Sequence, residues 1–325
     1  MRVLSGIQPT GSIHIGNYLG AIKQWIELQE KEECIFFIAD LHSLTIPYNP
    51  KNLQERIIEA AITYIAAGLD PEKSIFFVQS KVKEHTELCW LLNTVCPVGE
   101  LERMVQYKEK IKQFKKNINA GLLVYPILQA ADILLYKTEA VPVGKDQVQH
   151  IELARTIARK FNQRFGKTFI EPKAIMPKIG AKIMALNNPT KKMSKSLGPQ
   201  NYISLFEEPK DIKKKIMAAV TDNEKQIKYN PQKKPGISNL LVIYSLFSGK
   251  TIKELEKMFK GKDYAFFKKS LAELLINYLE PFRRKRKELL AREVYIQETL
   301  KLGKKRAETI AQFTIQEVRK KMGLV

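Results

Sequence analysis

Cysteine is scarce in this 325-residue chain: Cys34, Cys89 and Cys96 suit neither a disulfide framework nor a Cys-x-x-Cys metal knuckle. No stretch approaches the roughly eighteen uninterrupted apolar residues of a membrane helix. The first residues turn polar at Gln8 and so lack the apolar core of a signal peptide. These absences predict a soluble, cytoplasmic protein with no membrane partner. Also missing are internal repeats, low-complexity tracts, a Gly-x-Gly-x-x-Gly or Walker loop, and any convincing Ser/His/Asp or Cys/His arrangement. Nothing here predicts a protein nucleophile.

Negative charge is also in short supply. Lys and Arg number 55 against 34 Asp and Glu, leaving +21. The excess is uneven, with 28 basic and 15 acidic residues in 201–325 against 27 and 19 in 1–200. A basic second half suits a phosphate-rich partner, because neutralising phosphates releases condensed counterions. The competing reading is a lysine-rich solvated helical surface. With 44% hydrophobic residues the chain is an ordinary globular protein, long enough for two domains.

Short apolar runs at Val3–Ser5, Cys34–Ala39 and Ser74–Gln79 read as buried strands. Between them, Asn17–Gln29 and Pro50–Ala67 carry apolar residues at helical spacing, and Gly68 closes the second helix. This alternation predicts an α/β fold with a doubly wound, Rossmann-like parallel sheet. A helical insertion is expected at about 86–122, with the sheet resuming near Gln129–Leu135 and Val141–Val143. Asp146–Lys160 reads as a helix and 166–198 as an exposed loop. Beyond it only helices are expected, near Gly236–Phe247, Thr251–Phe259, Asp263–Leu279, Phe282–Leu300 and Lys304–Met322. The domains expected are 1–198, catalytic, and 199–325, all-helical, with the last helix able to pack back on the first domain.

Two segments carry chemistry. Gly6-Ile7-Gln8-Pro9-Thr10-Gly11-Ser12-Ile13-His14-Ile15-Gly16-Asn17 joins the first strand to its helix. Glycines there let backbone approach a ligand, and a helix start offers free N–H groups to phosphate, with His14 and Asn17 as further donors. A plain helix cap is an equal alternative. Lys191-Lys192-Met193-Ser194-Lys195-Ser196-Leu197-Gly198 could clamp a polyphosphate, or be a solvated lysine loop.

Together and in order, these segments resemble the two signatures of the class I aminoacyl-tRNA synthetases. His14-Ile15-Gly16-Asn17 matches the first except at its last position, and Lys192-Met193-Ser194-Lys195-Ser196 matches the second throughout. Ser5–Gly11, Gly99–Met104, Ala130-Ala131-Asp132-Ile133-Leu134 and Lys234-Pro235-Gly236-Ile237-Ser238-Asn239 are similar to segments of the tryptophanyl family, nearly end to end.

The resemblance implies a two-step reaction: ATP activates the amino acid as an adenylate with release of pyrophosphate, and a 3′-terminal ribose hydroxyl of the tRNA takes the aminoacyl group. By similarity Gln8, Pro9, Thr10, His14, Gly16 and Asn17 receive the nucleotide, joined by Gly144, Lys145, Asp146, Gln147 and the Ile183 backbone. Lys192, Met193, Ser194, Lys195 and Ser196 form the mobile loop, with Lys192 and Lys195 on the β- and γ-phosphates; Lys192, Lys195, Gln8 and Asn17 are the candidate catalytic residues. Mg²⁺ would be held mainly by phosphate oxygens and water, with no protein metal ligand assigned. Asp132 is the candidate selector, because indole has one N–H donor and no acceptor, with a carboxylate at a helix start as the competing reading. Leu4, Gly6, His42, Gln129, Ile133, Val141 and Val143 would surround the ring, although His42 also reads as a core histidine.

Two positions depart from the family pattern. Gln129 stands where an apolar methionine is common and is similar to the tyrosyl branch, and Lys145 stands where glutamate is usual. A tyrosyl enzyme of the same fold and a non-catalytic nucleotide-binding paralogue therefore stay open. The resemblance also implies a homodimer, placed here at Thr86–Tyr107, and a helical second half that reads tRNA, with Arg283–Lys287 either on phosphate or simply solvated. Every cysteine precedes residue 100, so the four-cysteine iron–sulfur site of some members is not expected.

Overall fold

The computed structural model describes residues 1–9, 13–113, 118–176, 183–224 and 226–325. Five strands form one parallel sheet: β1 (Arg2–Ile7), β2 (Glu33–Ile38), β3 (Ile75–Val78), β4 (Ala140–Pro142) and β5 (Lys173–Ile175), in the order β3-β2-β1-β4-β5. This is the doubly wound arrangement, in which strand order reverses beside β1 and ligands sit beyond the carboxyl ends of the strands. The expected Rossmann-like α/β fold is therefore present. β2 and β3 are buried along almost their whole length, as strands covered on both faces must be.

The chain forms two compact units. The first comprises 1–11, 24–177 and 292–325; the second comprises 12–23 and 178–291. In the first, the sheet and the helices Glu84–Asn93, Ala120–Leu135 and Val148–Phe165 share one hydrophobic core around Phe37, Phe77, Leu134, Ile157 and Phe161. The final helix, Glu293–Lys321, belongs to this unit and runs along β3. Gly303 makes that approach possible: a Cβ there would stand 1.8 Å from the Phe76 carbonyl oxygen. Arg319 pairs with Glu87 at 3.1 Å, and Lys137 with Glu317 at 2.7 Å.

The second unit contains the helices Pro209–Ala218, Pro235–Ser248, Ile252–Met258 and Tyr264–Leu290. Its Gly236 is packed so closely that a Cβ would lie 2.1 Å from Val220 O. Among the described residues no helix is long and apolar enough to cross a membrane.

Three sequence expectations need correction. Gln129–Leu135, expected as a strand, lies in the helix Ala120–Leu135. That helix is buried on most of its circumference, which removes the polar stripe that usually betrays a helix. The breaks expected at 279–282 and 300–304 are both absent: Glu293–Lys321 is one helix through Gly303, and Tyr264–Leu290 continues through Pro281. Arg283 Nη2 donates to Ile276 O at 2.7 Å across this turn, a support no local propensity reveals. A short strand, Lys173–Ile175, also falls inside the expected loop.

Candidate active site

In the first unit, the candidate residues gather where parallel strands end. Leu4 is buried on β1, and Gly6 lies against the Phe37 ring. Gln8 and Pro9 follow β1, and His42 lies on the short helix Asp40–Ser43 after β2. Val141 is in β4, Val143 follows it, and Gly144, Lys145, Asp146 and Gln147 lead into the helix Val148–Phe165. Gln147 Nε2 donates to Asp146 Oδ2 at 2.9 Å. Gln129, Asp132 and Ile133 lie on the helix Ala120–Leu135, where Ile133 is part of the hydrophobic core.

Asp132 is 1% exposed, and both its carboxylate oxygens are hydrogen-bonded. Its Oδ2 lies 2.8 Å from His42 Nε2, and its Oδ1 lies 2.6 Å from His85 Nδ1 and accepts from Gln79 Nε2 at 2.7 Å. Burial by itself pushes the carboxyl pKa up, but hydrogen bonds from His42 and His85 outweigh it and hold Asp132 below its ordinary value. Ionised, the carboxylate only accepts, so both imidazoles present an N–H to it. His85 Nε2 meets the Tyr136 hydroxyl at 2.8 Å. Burial, with the charges of Asp132 and Glu84, raises the Tyr136 pKa, so the phenol stays a donor.

Beside this group, Tyr125 OH lies 3.0 Å from His150 Nε2, and Lys110 Nζ sits 4.1 Å over the Tyr125 ring. Burial first, then the charges of Lys110 and His42, lowers the His150 pKa to about 4. Gln79, His85, Tyr136, Tyr125, His150 and Lys110 were all missed in the sequence. The one signal in the sequence was scarcity, since the chain has only 4 histidines; the structure buries all of them, His14, His42, His85 and His150.

The second unit holds both signature segments. Residues flanking His14 pair with 203–205, with Ile15 N–H on Ile203 O at 3.0 Å and Leu205 N–H on Ile13 O at 2.8 Å. His14 then caps the helix: its Nδ1 accepts from Asn17 N–H at 3.2 Å, while Asn17 Oδ1 accepts from His14 N–H at 3.2 Å. This is a reciprocal capping box with unusual residues. The helix continues through a π-helical turn, Tyr18–Ile22. Such turns are frequent at functional sites.

Ile183 and Met193 are joined in a short antiparallel ribbon, with Met193 N–H on Ile183 O at 3.0 Å and Ala185 N–H on Lys191 O at 2.8 Å. Met193 is buried, and its sulfur would lie 3.8 Å from a Cβ on Gly16, so the two signatures are neighbours. Lys192 and Ser196 are exposed; Ser194 and Lys195 are half-buried, and the Ser194 and Ser196 hydroxyls lie 2.8 Å apart. Burial first, then the charges of Lys195 and Lys192, lowers the His14 pKa to about 4. His14 is thus a neutral polar group in a cationic setting. Thr10 lies outside the described residues.

In the basic run, Arg283 is occupied by Glu280 at 2.7 Å and the Glu207 carbonyl at 3.3 Å, and Lys285 pairs with Glu288 at 3.1 Å. Arg284 and Lys287 are exposed. Burial raises the three thiol pKa values, Cys34 and Cys89 to about 12 and Cys96 to about 11. Among the described residues no three His, Cys, Asp or Glu side chains converge as metal ligands.

Comparison with known proteins identifies the family. The family described as tRNA synthetases class I (W and Y) matches residues 1–280. A tryptophan–tRNA ligase of Caldanaerobacter subterraneus is 51% identical over 100% of this chain and 98% of its own length. Another from Bacillus anthracis is 49% identical over 99% and 98%. The tryptophanyl-tRNA synthetase of Campylobacter jejuni, solved in complex with ADP and tryptophan, has a TM-score of 0.86 and 41% identity, covering 100% of both chains. The chain therefore belongs to the class I tRNA synthetases of the tryptophan and tyrosine group.

Proposed function

We propose that the protein is a tryptophan–tRNA ligase, which joins L-tryptophan to ATP as tryptophanyl-adenylate and passes the tryptophanyl group to the 3′-terminal ribose of its tRNA. The observation that carries this reading is end-to-end identity of about half with tryptophan–tRNA ligases. The ADP and tryptophan bound by the Campylobacter relative support the same two small substrates here.

Neither step requires a protein nucleophile. The carboxylate of tryptophan attacks the α-phosphate, the bond to the β-phosphate breaks, and pyrophosphate leaves with the negative charge. Catalysis then consists of positioning and stabilising that charge. Lys192 and Lys195 would follow the charge onto the β- and γ-phosphates. Neutral His14 and Asn17 would present the helix start to the nucleotide without adding a fixed charge, and Gly16 would let it approach. Gln8, Pro9, Thr10 and the Gly144–Gln147 turn would line the nucleotide, with Ile183 beside adenine through its backbone. Mg²⁺ would arrive on the phosphates, neutralising them and keeping much of its water. In the second step, the 2′ hydroxyl attacks the aminoacyl carbonyl and AMP departs.

Asp132 is the proposed acceptor for the indole N–H, its carboxylate already ionised and immobilised by His42, His85 and Gln79. Leu4, Gly6, His42, Gln129, Ile133, Val141 and Val143 would enclose the ring. The protein would work as a homodimer. Trp90, 71% exposed, and exposed Val98 and Val105 lie on the helices 84–113, where a second subunit would cover them. The second unit's helices, carrying exposed Arg284 and Lys287, would meet the tRNA.

The direct test is to incubate the protein with ATP, labelled tryptophan and tRNA bearing the tryptophan anticodon. Label should appear on the 3′ end of the tRNA. Adenylate without transfer would restrict the protein to the first step.

A further inference from the structure

The two oxygens of Asp132 differ in what already bonds to them. An ionised carboxylate offers about four lone-pair positions. Gln79 Nε2 and His85 Nδ1 take two on Oδ1, at 2.7 and 2.6 Å. His42 Nε2 takes one on Oδ2, at 2.8 Å. One acceptor position is left, on Oδ2. His85, 0% exposed, cannot turn away, because its other ring nitrogen, Nε2, is held 2.8 Å from the Tyr136 hydroxyl. Gln79 Oε1 is buried without a partner among the described residues, so the atom of this group left unpaired there is again an acceptor. Flipping the amide would set its oxygen against the carboxylate, which fixes its orientation.

We propose that Gln79 and His85, with Tyr136 behind His85, are specificity-determining positioning residues: by filling Asp132 Oδ1 they leave a single acceptor at Oδ2 and so select a side chain with one N–H donor and no acceptor. This rests on the reading of Asp132 as the indole acceptor. A phenol would bring oxygen lone pairs into a group whose unpaired atom is itself an acceptor, and a ring without a donor would leave Oδ2 short of a partner.

The experiment compares kcat/KM in ATP–pyrophosphate exchange for tryptophan and for 3-benzothienylalanine, whose ring sulfur replaces the N–H. The ratio cancels any loss of active enzyme, so a merely structural role would not move it. His85→Leu and Gln79→Met should each lower the tryptophan preference by about five-fold or more. His85→Asn, which keeps an N–H near the Nδ1 position, should restore it to within about two-fold. Tyr136→Phe, lacking one hydroxyl, should lie between wild type and His85→Leu, and tests the proposal even if His85→Leu fails to fold. Loss of the preference in Asp132→Asn, with wild-type ratios in Gln79→Met, His85→Leu and Tyr136→Phe, would overturn the positioning role alone. A wild-type ratio in Asp132→Asn would overturn the indole assignment, and this inference with it.

Discussion

Asn239 grips the backbone of Met184 with both ends of its amide: Oδ1 accepts the Met184 N–H at 2.9 Å, and Nδ2 donates to the Met184 carbonyl at 2.9 Å. Met184 is paired with Lys192, so this side chain fixes the ribbon from which the lysine loop departs. It also gives the Lys234–Asn239 segment a physical role. Pro235 starts a helix, Gly236 fits beneath Val220, and Asn239 holds the ribbon. Asn239→Ala should cost about 1–3 kcal/mol of stability in urea melts, because two backbone groups lose their partners. It should also lower kcat/KM for ATP more than for tryptophan. Equal losses for both substrates would detach Asn239 from the nucleotide side.

Lys195 follows Ser194 into a tight turn, Lys195–Leu197, and its charge already depresses the His14 pKa. A lysine that tracks charge onto pyrophosphate acts mainly in the transition state. Lys195→Ala should therefore slow adenylate formation in single turnovers by about 10²–10³-fold, with a much smaller rise in the Kd of ATP. Matched changes in both constants would make Lys195 a static phosphate contact.

Acid should destabilise the fold through two histidines. His14 and His150 each titrate near 4 in the folded protein, against 6.5 when exposed. Between those values the unfolded chain binds protons that the native one refuses, so stability falls as pH drops from about 6.5 towards 4. Each contributes on the order of 3 kcal/mol to the total loss. Thermal melts at pH 7 and pH 5 should show the drop, and His150→Gln should shrink it. An unchanged drop in that variant would remove His150 from the account.

The exposed Trp90 indole should mark the contact between subunits. Trp90→Glu should shift the protein from dimer to monomer in light scattering without unfolding it, since the side chain is 71% exposed in the isolated chain. A stable dimer of Trp90→Glu would move the interface elsewhere.

The parallel sheet was legible because its strands are short apolar runs separated by helices with one polar face, such as Pro50–Ala66. Ala120–Leu135 was not, because a helix buried nearly all round has no polar stripe, and its second half imitates a buried strand. Pro281 misled in the opposite direction: the rule that proline ends a helix is local, while the packing that carries Tyr264–Leu290 through it is not. At the site, the two signature segments could be read because each is contiguous. The Asp132 network could not. Gln79 follows β3, His85 opens a helix and His42 lies on another, and only the fold brings them onto one carboxylate, with Tyr136 behind His85.

The central claim, activation of tryptophan through Asp132, is tested most directly by ATP–pyrophosphate exchange with tryptophan and with tyrosine in separate reactions, in the wild type and in Asp132→Asn. The account predicts exchange with tryptophan alone, and in Asp132→Asn a kcat/KM for tryptophan lowered by about 1–3 kcal/mol. Exchange driven by tyrosine, or tryptophan kinetics untouched by the substitution, would contradict it.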